Sequence, residues 1–258
     1  MKTTNPARRH LMLCVAALAL AVPAAHSPAS PLDWLTGEHV KGNGNIKTQS
    51  RELGHFSALS LALPGKLELR MGESESVTIE TDDNLLPLIS AVIENGTLKL
   101  RPIRNNLQLD TGNLKLVVQA RNIERIALGG SGAIEAQRLR APKLDLSLGG
   151  SGAITIGQVE ADALAVSLGG SGKLKAGGGA ARRVSVSIGG SGDVELGQVS
   201  SDEASVNVAG SGNATVWARN ALSVSIAGSG DVNYYGDPQV SKTVIGSGST
   251  RRLGGAPR

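Results

Sequence analysis

The chain of 258 residues has one cysteine and almost no aromatic side chains: one Phe, two Trp and two Tyr. Enzyme cores and ligand pockets draw heavily on Phe, Tyr and Trp, so a pocket-bearing globular enzyme is disfavoured and the interior must be aliphatic. One cysteine supplies no disulfide framework, which leaves packing and hydrogen-bond ladders to hold the fold. A strong excess of charge is missing too: 26 basic residues face 22 acidic ones. What is abundant is glycine, at 34 residues. It lacks the three-residue period of collagen, and the many Val, Leu and Ile residues argue against disorder.

Residues 1–25 carry Lys2, Arg8 and Arg9, an apolar run from Leu11 to Val22, and the small residues Ala24 and Ala25. This is the layout of a secretory signal peptide, cleaved after Ala24 or Ala25. The run is shorter than the roughly 20 residues that span a bilayer. Cys14 follows Leu13 and not a small residue, so lipidation is not expected. Cleavage removes the cysteine and three basic residues, leaving 23 basic against 22 acidic side chains. The footprint of a nucleic-acid-binding protein is then absent. The expected location is the periplasm, or outside the cell or on its surface, and no membrane span is expected once the signal is removed. Residues 26–40, with a Pro/Ser stretch from Ser27 to Pro31, read as a flexible linker, and residues 250–258 as a disordered tail.

A Gly-Ser-Gly triplet begins at Gly130, Gly150, Gly170, Gly190, Gly210, Gly228 and Gly246, at spacings of 20, 20, 20, 20, 18 and 18 residues. A fixed period in this range marks stacked units, none of which buries its apolar face alone. Flexible linkers are not flanked by strict alternation, and here the triplets are preceded by alternating runs such as Leu164, Val166, Leu168 or Val184, Val186, Ile188. Alternation resumes after the triplets, as in Ile154, Ile156 and Val194, Leu196. Period two with β-branched residues means strands with one buried face, and the glycines take the corners, where positive φ or close stacking excludes a Cβ. Leu139, Val159 and Val199 mark a short third strand in each coil. The fold class is therefore all-β, a β-solenoid of about 20-residue coils over residues 126–249, with strands stacked ~4.8 Å apart.

Parity assigns the outward faces. Before the triplets the outward positions form a small polar ladder that includes Ser185, Ser187, Ser205, Asn207, Ser223 and Ser225. After them, Lys173 and Lys175 in one coil stand beside Asp193 and Glu195 in the next, where in-register stacking makes cross-strand ion pairs.

Residues 41–125 are expected to form an irregular, strand-rich first section of the same β structure. Phe56, Leu59, Leu61 and Leu63 alternate there, and Asn95-Gly96 is the best hairpin turn because both positions tolerate positive φ. Asp83 to Leu86 predicts one helical turn, limited by Pro87.

From about Gly42 to Ser249 these residues resemble the family of auto-transporter adhesin head GIN domains. The resemblance rests on Gly42-Asn43-Gly44-Asn45-Ile46 followed by Phe56 and its strand, on Asn84-Leu85-Leu86 and Asn95-Gly96-Thr97-Leu98, and on the triplet repeats. It implies a β-helix-like fold, export and an adhesive or surface role, with no catalytic residues to carry over. The amphipathic barrel strands of an auto-transporter do not follow the repeats, so self-secretion is not expected.

Known chemical motifs fit poorly. Gly172-Lys173 is followed by Leu174, not by the hydroxyl residue of a phosphate loop, and no triplet has the third glycine of a dinucleotide site. His26, His39 and His55 lack a second ligand at useful spacing. Asp193 and Glu195 project together, which keeps a polysaccharide-active β-helix enzyme as the alternative. Trp217 and Tyr235 each lie five residues after a triplet's second glycine, where earlier coils carry Gly157, Gly177 and Gly197. They form the candidate binding surface, or else a cap over the last coils. The expectation is a non-enzymatic scaffold or binding protein of the bacterial envelope, with no catalytic, cofactor or metal residue. Its partners would be an envelope protein or glycan, with self-association through the solenoid ends also expected.

Overall fold

Alternating apolar residues drive the chain into strands, and interruptions of the alternation bend those strands into coils. The computed structural model describes residues 38–257, so the expected signal peptide and most of the linker lie outside the described residues. In the strand Ala133–Gly150, inward and outward positions alternate except at two adjacent outward pairs, Gln137-Arg138 and Pro142-Lys143. Each pair shifts the parity by one and turns a corner. Together with the glycine corner they give three sides, with Ile134 and Ala136 buried from the first, Leu139 and Ala141 from the second, and Leu144, Leu146 and Leu148 from the third. The short strand marked by Leu139, Val159 and Val199 is thus the second side, all three being buried.

Successive coils pair in parallel. Ala133–Gly150 matches Ala153–Gly170 residue for residue at an offset of 20, so Leu146 stands beside Val166 and Ser147 beside Ser167. The last two coils keep the register on an 18-residue offset, with Leu222 opposite Val240 and Asp231 opposite Ser249. Buried aliphatic side chains contribute roughly 1.5–3 kcal/mol each, and a continuous interior from Phe56 to Val232 accounts for a fold built without disulfides or an aromatic core. Gly150, Gly170 and Gly190 adopt φ of 113°, 112° and 127°. The amide of Ser171 donates to the Gly150 carbonyl at 3.0 Å, and that of Ser191 to Gly170 at 2.9 Å, so each corner hangs from the one before.

The first section continues the same stack in a different order. The strand Arg125–Gly130 pairs with Ala58–Leu61, which pairs with Thr97–Pro102. On the next side Ala133–Gly150 pairs with Lys66–Met71, which pairs with Lys115–Ala120. Strands that come first in sequence therefore lie inside the stack, between later ones. Antiparallel strands finish this end: Ser76–Asp82 and Ile46–Glu52 on one side, Ile89–Glu94 on the other. Asn95 and Gly96 make the expected hairpin turn, with φ of 51° and 72°.

Three expectations need correction. The helical turn is a 3-10 turn at Leu86–Leu88, begun three residues later than expected because Pro87 presets φ at its start while Leu85 is buried. The end of the linker is ordered: Glu38–Lys41 is a strand paired with Leu107–Asp110. The expected tail is a strand through residue 254, since Ser249–Gly254 pairs with Asp231–Tyr235. The last triplet turns the chain into one more rung, and backbone hydrogen bonds hold an edge strand that lacks an apolar pattern.

Candidate functional site

The two-residue shortening of the later coils decides where Trp217 sits. Relative to the preceding coil, residues are lost between Glu195 and Ser200, so Trp217 stands opposite Ser200 and not opposite Gly197 as the triplet count predicts. One rung further on, Tyr235 is the register partner of Trp217. The structure therefore brings the two candidate residues together on adjacent strands, both half-buried. Ser201, 1% exposed, donates its hydroxyl to the Trp217 carbonyl at 2.7 Å and fixes this stretch of backbone.

Tyr235 leans along the stack. A Cβ at Gly197 would lie 3.2 Å from Tyr235 Cε2 and 2.9 Å from Thr215 Cγ2, so the ring occupies space that the glycine leaves open. Tyr234 points inward and packs on the core. Arg252 closes the neighbourhood, its Nε donating to the Gly236 carbonyl at 2.7 Å and its Nη2 lying 3.6 Å from Asp237. Three of the chain's five aromatic side chains are gathered here, held on strands and not on loops.

A second feature escaped sequence reasoning. A groove of about 740 Å³ runs across five strands between the column of Arg183 and Glu203 and the column of Ser185, Ser205, Ser223 and Ser241. The serines were legible as a ladder, but the concavity arises at the corner between the second and third sides. Its only signal is the outward doublets Arg182-Arg183 and Asp202-Glu203, with alanine at the matching positions 163 and 221.

The carboxylates of the enzyme alternative are engaged otherwise. The register sets Lys173 against Asp193 and Lys175 against Glu195, as expected. The ion pairs converge on Glu195, however, with Lys173 at 2.6 Å and Lys175 at 3.4 Å. Asp193 instead accepts the side-chain amide of Asn213 at 2.9 Å. The hydrogen bond from Lys173 holds Glu195 below the usual carboxylate range. Glu68, Asp83 and Glu94 are pulled down in the same way, led by bonds from Arg70, Asn43 and Lys99 respectively. A general acid needs the opposite shift. Among the described residues, no three His, Cys, Asp or Glu side chains gather as a metal site would.

The Gly42-Asn43-Gly44-Asn45 segment serves as a structural clasp. Buried Asp82 accepts the Gly44 amide at 2.6 Å and the Thr111 hydroxyl at 3.2 Å. The side-chain amide of Asn43 donates to Asp83 at 2.6 Å, and that of Asn84 to the Lys41 carbonyl at 2.9 Å.

A family model described as "Putative auto-transporter adhesin, head GIN domain" matches residues 55–238. Solved structures share the architecture. A "Putative lipid binding protein" from Parabacteroides distasonis is 24% identical, with a TM-score of 0.71 over 84% of this chain and 100% of that one. A "putative adhesin" from Bacteroides fragilis is 20% identical, with a TM-score of 0.78 over 83% of this chain and 100% of that one. One of the same description from Parabacteroides merdae is 20% identical, with a TM-score of 0.65 over 84% and 99%. At these identities the likeness establishes the fold alone. No curated protein matches the chain.

Proposed function

The chain belongs to the family of auto-transporter adhesin head GIN domains, and on that premise we propose that it is an exported, non-enzymatic binding module of the bacterial envelope that holds its target through Trp217 and Tyr235. The observation that carries this reading is the concentration of aromatic side chains. A chain that uses five in all places three at one point of the stack, two of them outward on adjacent rungs. Trp and Tyr supply large contact area at low entropic cost, and they dominate binding energies at protein interfaces. Their π faces also suit the apolar faces of sugar rings. The rigid ladder beneath them fixes the spacing before any ligand arrives, which lowers the cost of binding. An envelope protein or glycan is the partner class that this surface fits, and the periplasm or the cell surface is where it would act.

The engagement of both carboxylates supports the non-catalytic reading. Glu195 is shared by two lysines, which hold it ionised, and Asp193 is taken by the Asn213 amide.

Trp217→Ala tests the proposal. Isolated envelope fragments from the producing bacterium should retain the variant at least about tenfold less than the unaltered chain, the loss typical of removing an aromatic hot spot. Thermal melting checks that the fold is intact. Unchanged retention by a folded variant would show that the aromatic pair is only a cap.

A further inference from the structure

The two ends of the stack differ in the strands that close them. The outermost strands there, Gln239–Gly246 and Ser249–Gly254, each pair on one side only. Among the described residues, their outer N–H and C=O groups therefore have no backbone partner. Of the eight exposed large hydrophobic side chains among the described residues, four lie on these two strands: Val240, Val244, Ile245 and Leu253, with Ile245 at 71%. Such an edge invites strand addition.

Three of the inward columns end here in polar groups. Val186, Val206 and Val224 are followed in register by Lys242. Val216 and Tyr234 are followed by Arg252. Val232 is followed by Thr250, whose Oγ1 is buried with no hydrogen-bond partner. Arg252 has Asp237 nearby at 3.6 Å, but that aspartate side chain is 92% exposed, whereas Lys242 has no ion-pair partner among the described residues.

These charges select the occupant. Tail-to-tail association of two copies would bring Lys242 and Arg252 against their own kind. Head-to-tail association would set Arg251 and Arg252 near Lys47 and Arg51 of the outermost strand Ile46–Glu52 at the other end, and Lys242 beside the outermost strand Ile89–Glu94, where Glu94 is already paired with Lys99 and Arg101. The first arrangement repels and the second offers Lys242 no free carboxylate, so the expectation of self-association through the ends gains no support from the charge pattern. A strand with carboxylates at its inward positions would instead neutralise Lys242, cover Val240 and Val244, and complete the backbone ladder. We infer that the carboxyl-terminal end of the stack accepts an acidic β-strand from a partner protein in preference to a second copy of the chain.

Two labelled peptides test this: the sequence of Gln239–Gly246 with glutamate replacing Lys242, and the same sequence with the lysine kept. The purified chain should bind the glutamate peptide at least tenfold more tightly. Binding should slow amide exchange at residues 239–254 and leave residues 46–52 unaffected. Lys242→Glu should reverse the preference, and light scattering should find the unaltered chain monomeric. Equal binding of the two peptides, no protection at 239–254, or self-association of the unaltered chain through this end would overturn the inference. Because Trp217 and Tyr235 take no part, failure of the aromatic site would leave it standing.

Discussion

Gly190→Ala is expected to lower the melting temperature by about 5–20 °C, while Gly189→Ala, one residue away, leaves it nearly unchanged. Gly190 has φ of +127°, and a Cβ there would lie 2.5 Å from the Gly170 carbonyl oxygen. The oxygen belongs to backbone that is itself stacked on the preceding corner, so neither side can yield. Backbone strain of this kind costs about 1–3 kcal/mol and overpacking about as much again. That sum is a large part of a total stability of roughly 5–15 kcal/mol, and in a chain of this size ~1 kcal/mol corresponds to about 2–4 °C. At Gly189 the nearest atom to an added methyl group is the Leu168 oxygen at 4.0 Å. The chain already makes this second substitution itself, with Ala209 and Ala227 at the equivalent places in later coils. Circular dichroism melts of the two variants give the comparison, and equal melting would refute the corner-stacking argument.

Val206→Lys should abolish folding altogether. Val206 is 0% exposed and lies between Val186 and Val224 in the middle of an inward column. A lysine there leaves an ammonium in an aliphatic interior with no counter-charge, a penalty of several kcal/mol. Two coils further along the same column, Lys242 is accommodated because it stands on the last rung, exposed to water. The contrast between one residue type in the middle and at the end of one column isolates position in the stack as the cause. Proteolysis should digest the Val206→Lys chain at a rate that the unaltered protein reaches only in denaturant. A variant melting within a few degrees of the unaltered chain would mean that the column is not dry.

Much of this architecture is legible in the residues because a solenoid repeats its instructions. The triplets mark the corners, parity separates Leu164, Val166 and Leu168 from Ala165 and Ser167, and the equal spacing places Lys175 beside Glu195. What escapes the sequence is whatever depends on contacts between non-equivalent positions. The strands Ala58–Leu61 and Lys66–Met71 slot between later ones through pairings that no local pattern announces. Lys173 reaches diagonally to Glu195 because a long flexible side chain chooses among neighbours that register alone cannot rank. Trp217 is misplaced by counting from the triplet, since the count assumes that the residues lost from the shorter coil come from the end, whereas they come from the corner after Glu195. The groove belongs to a corner, and corners carry no hydrophobic period.

The central claim is that this chain is a binding module whose contact surface is the pair Trp217 and Tyr235. Its most direct test is photocross-linking in living cells from position 217, with position 167 on the serine ladder as the control, followed by mass spectrometry of the captured species. A discrete envelope protein or glycan trapped from position 217 and not from 167 is the predicted result. Equal capture at both positions, or none from 217, would contradict the claim and leave Trp217 as a cover for the last coils.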